Sequence, residues 1–258
     1  MASDQPIPGA SDQGLFGIPV PSRASRRGLG GLFGKDWNRH LLHAEELSRT
    51  AGFQELRDTI LDRAGPTASD RALDIGAGTG LLALPLASRV THVWAIDISE
   101  AMVEHLRWLA TGRGLASLHP LVATATGIPL ESGSVDLAVS NYCFHHLDDD
   151  DKRRALAEAF RVLVPGGRLA FGDMMFSWSP GDRRDRRVIG SMLRSMARRG
   201  PAGYLRIARN AFRVLTGTGE RPAPAAWWRR ALEEAGFVDV EVECLAHEGG
   251  IATSRKPG

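Results

Sequence analysis

Short apolar runs alternate with amphipathic stretches along the middle of the chain. The runs are Ala72–Ile75, Val93–Ile96, Leu118–Val122, Val135–Ser140 and Leu169–Gly172. Between them apolar positions recur at helical spacing over Leu81–Ser88, Ala101–Thr111 and Lys152–Leu163, with Leu156, Phe160 and Leu163 on one face of the last. Strand, helix and strand repeated in this way predict a parallel sheet with helices on both faces. Asp148 to Asp151 stand ahead of the third helix, where carboxylates suit the positive end of the helix dipole better than they suit an acidic metal site. Upstream, Asn38–Ala64 reads as helix with a break at Gly52, and Gly65-Pro66 stops it.

The alternation ends after the fifth run. Two amphipathic stripes follow, Ile189, Met192, Leu193 and Met196, then Leu205, Ala208, Phe212 and Leu215. Ala225–Ala235 reads as a helix closed by Gly236, and Phe237–Glu243 and Gly250–Arg255 as two final strands. Residues 1–35 are rich in Pro, Gly, Ser and Arg without periodicity and read as a disordered arm, with order starting near Phe33 or Trp37. One domain over residues 36–258 is the expected organisation, with a helical lid at about residues 178–221.

The most informative stretch is Ala72-Leu-Asp-Ile-Gly-Ala-Gly-Thr-Gly80. A strand feeds a loop with Gly76, Gly78 and Gly80, and a helix follows, so backbone N–H groups are offered to a ligand that can come close. Asp97 ends the next run, placed to accept hydrogen bonds from two ribose hydroxyls. A dinucleotide loop spaces its glycines G-x-G-x-x-G around a pyrophosphate. Here the spacing is G-x-G-x-G, and Asp74 stands two residues before the first glycine. A carboxylate there repels phosphate and welcomes an ammonium group. The ligand implied has a ribose and an amino-acid cation but no phosphate, which describes S-adenosylmethionine.

With these residues, the chain resembles the class I S-adenosylmethionine-dependent methyltransferases, in particular those acting on small molecules. Ala95-Ile-Asp97-Ile-Ser99, Ile128-Pro129-Leu130, Val135-Asp136-Leu137, Phe144-His145-His146-Leu147 and Arg161-Val-Leu-Val-Pro165-Gly166-Gly167 extend the resemblance, which covers about residues 70–175 strongly and the last third weakly. It implies a seven-stranded, mostly parallel Rossmann-like α/β sheet with helices on both faces, the last strand antiparallel, and a helical insertion after the fifth strand. It also implies roles. Asp74, Gly76, Ala77, Gly78 and Gly80 face the methionine end of the cofactor, Asp97 holds the ribose, Ile98 and Met102 border the adenine, and Asn141 lies under the sulfonium. The acid that many family members carry after the third strand is absent. Thr124 and Ala125 stand in that stretch, and Thr124 can accept one hydrogen bond in its place.

Methyl transfer from a sulfonium needs alignment and exclusion of water, and a base only where the acceptor carries a weakly acidic proton. His145, His146 and Asp173 are the candidate catalytic residues, with Tyr142 able to orient an acceptor. Neighbouring histidines usually point apart, so one of the pair at most is expected in the site. Cys143 as a nucleophile has no supporting motif, and His40 and His43 on the first helix are expected at a solvated surface or lining a lid.

Composition narrows the partners. The 258 residues carry a net charge of +2, yet residues 178–221 hold eleven Arg against three acids, so the remainder carries −6. So local a basic element argues against nucleic acid and leaves an anionic membrane surface, an acidic substrate, a dimer face or a solvated face. With Met174, Met175, Met192 and Met196, the stripes are expected to roof an apolar pocket, their Arg side chains on the opposite face. The two cysteines, Cys143 and Cys244, exclude a disulfide scaffold or a Cys-built metal centre. No apolar stretch of 18 residues and no secretory leader are present, so the expectation is a cytoplasmic monomer or homodimer acting on a small apolar acceptor. Two other readings compete. One is a protein of the same fold that binds the cofactor without transferring methyl. The other is a nicotinamide-dependent oxidoreductase, which the glycine spacing disfavours.

Overall fold

The computed structural model describes residues 41–177, 181–198, 200, 204–205 and 220–258. The expected N-terminal arm, His40 and nearly all of the second stripe of the insertion lie outside the described residues, as does the side chain of His43.

Two helices open the described chain, α1 (Leu41–Ser48) and α2 (Ala51–Ala64). The break falls at Arg49-Thr50 and not at Gly52, which lies inside α2. Thr50 is extended, with φ −72° and ψ 147°, and its hydroxyl donates to the Leu47 carbonyl, so the turn is set before the glycine is reached. Gly65 ends α2 in the left-handed conformation, as Gly65-Pro66 predicts.

The sheet is built from β1 (Arg71–Ile75), β2 (His92–Asp97), β3 (Leu118–Val122), β4 (Val135–Asn141), β5 (Leu163–Met174), β6 (Val238–Cys244) and β7 (Gly249–Arg255). Their order is β3-β2-β1-β4-β5-β7-β6. The first five pair in parallel, and β7 runs antiparallel between β5 and β6. The seven-stranded, mostly parallel sheet with an antiparallel last strand is therefore as expected. Between the strands lie α3 (Ala83–Leu86), α4 (Glu100–Gly112), α5 (Asp149–Val162), α6 (Arg183–Ala197) and α7 (Ala225–Glu234). Strand β5 is far longer than its apolar run, because Pro165-Gly166-Gly167 is carried inside the strand, with a shift in register between Val135 and Leu137 of β4.

The central strands are buried on both faces, which is why β1 and β4 read as continuous apolar runs. One core lies between the sheet and α5 and α7, around Phe144, Phe171 and Trp228. The other lies between the sheet and α2, α3 and α4, around Leu61, Leu86 and Leu106. Asp148 caps α5 by accepting from the Asp151 N–H, and Asp149, Asp150 and Asp151 fill its first turn, so these acids serve the helix. Chain order reverses between β1 and β4. The carboxyl ends of those two strands form the switch point, where an open α/β sheet binds its ligands.

Candidate active site

The glycine loop leaves β1 at this switch point. The N–H groups of Gly76 and Ala77 both donate to the Ile96 carbonyl, which ties the loop to the end of β2. The glycines then divide by task. A Cβ on Gly76 would lie 2.3 Å from Cys143 Sγ, and one on Gly80 would lie 2.5 Å from Leu106 Cδ1. Both let other chain segments pack closely. Gly78, at φ +52°, has nothing within 4 Å of where its Cβ would be. It is the glycine that opens to space.

Two acids flank that space. Asp97 accepts from the Gly78 N–H at 2.9 Å and from the Ser99 N–H at 2.8 Å. Burial raises its pKa, and those backbone donors oppose the rise. Asp74 is buried on β1, and its Oδ2 has no hydrogen-bond partner. Burial is the main reason its pKa is pushed up to about 8, with the neighbouring charge of Asp97 adding to the rise. At the end of the adjacent β4, Asn141 Oδ1 is likewise buried without a partner. Buried acceptors are ordinarily satisfied, so two orphans at one switch point fit a ligand that brings donors. An α-ammonium group supplies them, and a phosphate does not. The residues present therefore fit S-adenosylmethionine.

The remaining expected contacts are less direct. Ile98 is half-buried, and Met102 is buried at the start of α4, its N–H capped by Ser99 Oγ. Ala77 belongs to the core beneath α2, α3 and α4, and Ala125 packs against the core on the opposite face of the sheet. Thr124 Oγ1 pairs with Thr126 Oγ1 at 3.0 Å and accepts from the Thr126 N–H, so it is engaged within its own loop.

Past β4 the chain makes a tight 3₁₀ turn, Phe144–His146. The turn presents His145 to Asp173 at the end of β5, with Nδ1 2.7 Å from Asp173 Oδ1. Two of the three expected catalytic candidates, His145 and Asp173, thus form a pair, and both are buried. Asp173 also receives the His145 N–H at 3.1 Å and the Met174 N–H at 2.6 Å. The His145 and His146 rings do not diverge. Their centroids are 3.8 Å apart. Cys143 is no nucleophile. Burial first, then the charges of Asp97, Asp173 and Asp74, hold its thiol well above the ordinary range. Cys143 packs directly against Gly76 and stands two residues before His145, which brings the glycine loop next to the His145–Asp173 pair.

Tyr142 bridges this site and the insertion. It holds φ +51°, uncommon outside glycine, and its N–H donates to the Gly172 carbonyl. Its ring stacks on Phe53 of α2 at 5.2 Å and meets His145 edge-on at 5.7 Å. Met174, Phe176 and Val188 form a small cluster with Tyr142, Ile189 and Met192 packed against it, so Ile189 and Met192 of the first stripe lie over this end of the sheet, whereas Leu193 of the same stripe is exposed. One expectation fails here. Arg184 is not on the outer face of α6. Its guanidinium donates to the carbonyls of Met175, Leu245, His247 and Gly249, while Asp185 accepts from the Ser177 N–H and hydroxyl. Arg183 and Arg187 do face outward.

Sequence reasoning passed over Phe53, Lys152 and Arg184. A single aromatic on an amphipathic helix carries no signal of its own, and Lys152 stood in a charge run that reads as a solvated surface. A groove of about 460 Å³ lined by Arg107, Leu115 and His119 opens at the amino ends of the strands, away from these groups. No helix among the described residues is long and apolar enough to cross a membrane.

Residues 72–167 match the family described as methyltransferase domain. An uncharacterized methyltransferase of Geobacillus kaustophilus is 32% identical over 126 residues, 49% of this chain and 55% of that protein. Another, of Mycobacterium bovis, is 34% identical over 113 residues, 44% of this chain and 55% of the relative. The chain spans about half the length of the curated relatives it matches. Among solved structures, the YcgJ protein of Bacillus subtilis superposes with a TM-score of 0.58 at 18% identity, covering 79% of this chain and 99% of that one. The [4+2]-cyclase SpnF gives 0.62 at 21% identity, covering 93% and 98%. A phosphoethanolamine N-methyltransferase 2 of Haemonchus contortus, in complex with phosphomonomethylethanolamine and S-adenosylhomocysteine, gives 0.61 at 16% identity, covering 91% and 57%. These three structures show the shared fold, and residues 72–167 are similar in sequence to the methyltransferase-domain family.

Proposed function

We propose that this chain transfers a methyl group from S-adenosylmethionine to a small, largely apolar acceptor. The observation that carries the reading is the pair of acids, Asp74 and Asp97, on either side of the open Gly78 at the switch point. When bound, the cofactor supplies a methyl group made electrophilic by the sulfonium. The chain's own residues do the rest. Asp74 takes the ammonium, Asp97 and the Gly78 backbone take the ribose side, and Asn141 offers its buried oxygen. Tyr142, Met174, Ile189 and Met192 give the acceptor side apolar walls, and α6 keeps water away from it.

A second reading has one observation in its favour. The [4+2]-cyclase SpnF superposes over 93% of this chain, so the fold alone does not dictate methyl transfer. Calorimetry with S-adenosylmethionine and NAD separates both readings from an oxidoreductase. Labelled cofactor incubated with a cell extract, followed by mass spectrometry of the product, separates the first from the second. Binding with methyl transfer supports the proposal, binding without transfer favours the second reading, and binding of NAD alone overturns both.

A further inference from the structure

We infer that the outer face of α6 docks on a membrane surface rich in anionic phospholipid and so turns the acceptor side of the site towards the bilayer; the docking stands apart from the methyl transfer proposed above, and only the delivery of an apolar acceptor rests on that reading. The face begins as a spacing. Arg183, Arg186, Arg187, Arg194 and Arg198 follow one another at steps of three, one, seven and four residues. At 3.6 residues per turn these steps gather them on about a third of the helix circumference. Arg198 closes α6 with φ −61° and ψ −16°, so it continues the same row. All five are exposed. The other positions on that arc are small, Gly190 and Ala197, and the Arg194 guanidinium lies across the first of them, with Nη1 3.2 Å from where a Cβ on Gly190 would stand.

The acids of this segment are committed elsewhere. Asp182 caps the helix and accepts from the Arg184 and Asp185 N–H groups at 2.7 and 3.0 Å. Its charge reaches Arg186, which stands at the edge of the row. Asp185 is buried and accepts from the Ser177 N–H and hydroxyl. Arg183, Arg187 and Arg194 are left as the cationic middle of the face. The opposite side of α6 is held to the body of the protein. Val188, Ile189 and Met192 pack with Met174, Phe176 and Tyr142, and Arg184 clamps the helix through backbone carbonyls. The arginine row is therefore carried on a seated helix and not on a loose one.

Chemistry and orientation together select lipid. Guanidinium groups match the oxygens of a phosphodiester and keep their charge at neutral pH. Apolar side chains stand in water beside them. Leu193 of α6 is 43% exposed, and Tyr204 and Leu205 just beyond the helix are 63% and 72% exposed. Backbone bonds tie the two to the helix end, from the Gly200 N–H to the Ala197 carbonyl and from the Tyr204 N–H to the Gly200 carbonyl. Cations flanked by leucine and tyrosine suit a bilayer interface, where apolar groups enter the headgroup boundary and cations meet phosphate. The charge of the whole chain sets the orientation. Residues 178–221 carry +8 and the remainder −6, so an anionic surface draws the insertion in and pushes the body away. Because α6 lies over the acceptor end of the sheet, that end approaches the bilayer, and an apolar acceptor dissolved there reaches the site by a short path.

The test sediments the full chain with vesicles of phosphatidylcholine alone, or of phosphatidylglycerol and phosphatidylcholine in equal parts. Binding is expected to the mixed vesicles only, and to weaken steeply as salt is raised. Arg183→Gln, Arg187→Gln and Arg194→Gln are each expected to weaken it about fivefold. Leu193→Ser is expected to weaken it by a factor that salt does not change. All four side chains are exposed, so melting temperature and cofactor affinity should stay those of the unmodified protein. Hydrogen exchange over residues 183–198 should slow on the mixed vesicles and not on phosphatidylcholine. Binding that the arginine changes leave intact overturns the inference, since another part of the chain then makes the contact. So does an absence of vesicle binding, whether or not a random-sequence RNA is bound instead. Calorimetry with S-adenosylmethionine keeps the two readings apart. Vesicle binding without cofactor binding refutes methyl transfer and leaves the docking, and cofactor binding without vesicle binding does the reverse.

Discussion

A methyl group added at Gly76 would strike Cys143 Sγ at 2.3 Å, and one added at Gly78 would touch nothing within 4 Å. The same substitution therefore has opposite consequences two residues apart. Gly76→Ala must displace Cys143 and hold a side chain at φ +71°. It is expected to destabilise the fold by about 2–4 kcal/mol, from overpacking and left-handed backbone together. Gly78→Ala carries only the backbone cost, about 1–2 kcal/mol, but projects its methyl into the ligand's space, so cofactor affinity falls by about tenfold or more. Thermal melts and calorimetry on both variants check this, and a reversed pattern would mean that the loop is assigned the wrong way round. Asp97→Asn tests the ribose side. Its carboxylate serves two backbone N–H groups before any ligand arrives. Losing charge-assisted bonds costs about 1.5–3 kcal/mol, on the order of tenfold in affinity or beyond. An unchanged Kd would remove Asp97 from the site.

Among the elements, α6 shows how far a pattern can be read and where it stops. Two residues of its expected stripe, Ile189 and Met192, face the body of the protein together with Val188, which the stripe did not include, while Leu193 is exposed. The clamp that holds the helix was not legible from spacing. Arg184 looks like every other arginine in the insertion, and its partners are backbone carbonyls of Met175, Leu245, His247 and Gly249, three of them more than 60 residues away. Carbonyls carry no residue-type signal, so no sequence pattern announces them. For the same reason the loop between β6 and β7 gave no hint that it anchors a helix of the insertion. Arg184→Gln is expected to free α6 from its seat. Hydrogen exchange over residues 183–197 should quicken, acceptor turnover should fall at least tenfold, and cofactor affinity should stay within about twofold. Unchanged exchange would show that the stripe alone seats the helix.

For the molecule as a whole, the switch point was legible because continuous apolar runs, a glycine loop and an acid one strand later dictate the order of the sheet. The joining of His145 to Asp173 was not, since the two stand 28 residues apart on different elements and only the closing of β4 against β5 brings them together. Nor does the sequence show the penalty built into Asp74. Its pKa in the folded chain is pushed up to about 8 from an ordinary 3.8, chiefly by burial. Between those two values the unfolded chain has released a proton that the folded chain retains. The folded state then binds more protons, so stability is greatest below about pH 4 as far as this group is concerned and declines as pH rises towards about 8. Asp97 is raised in the same direction and adds to the decline. A cation placed against Asp74 favours the carboxylate and reverses the sense. Binding of S-adenosylmethionine should release a proton at about pH 6, and its affinity should rise with pH through the same window. Calorimetry in two buffers of different ionisation enthalpy measures that proton directly. Asp74→Asn should flatten the fall in melting temperature between about pH 5 and pH 8, raise the melting temperature at the upper end, and abolish the proton release along with most of the affinity. A variant with the slope of the unmodified protein would show that Asp74 is already ionised in the fold and that its burial is met by donors other than a ligand.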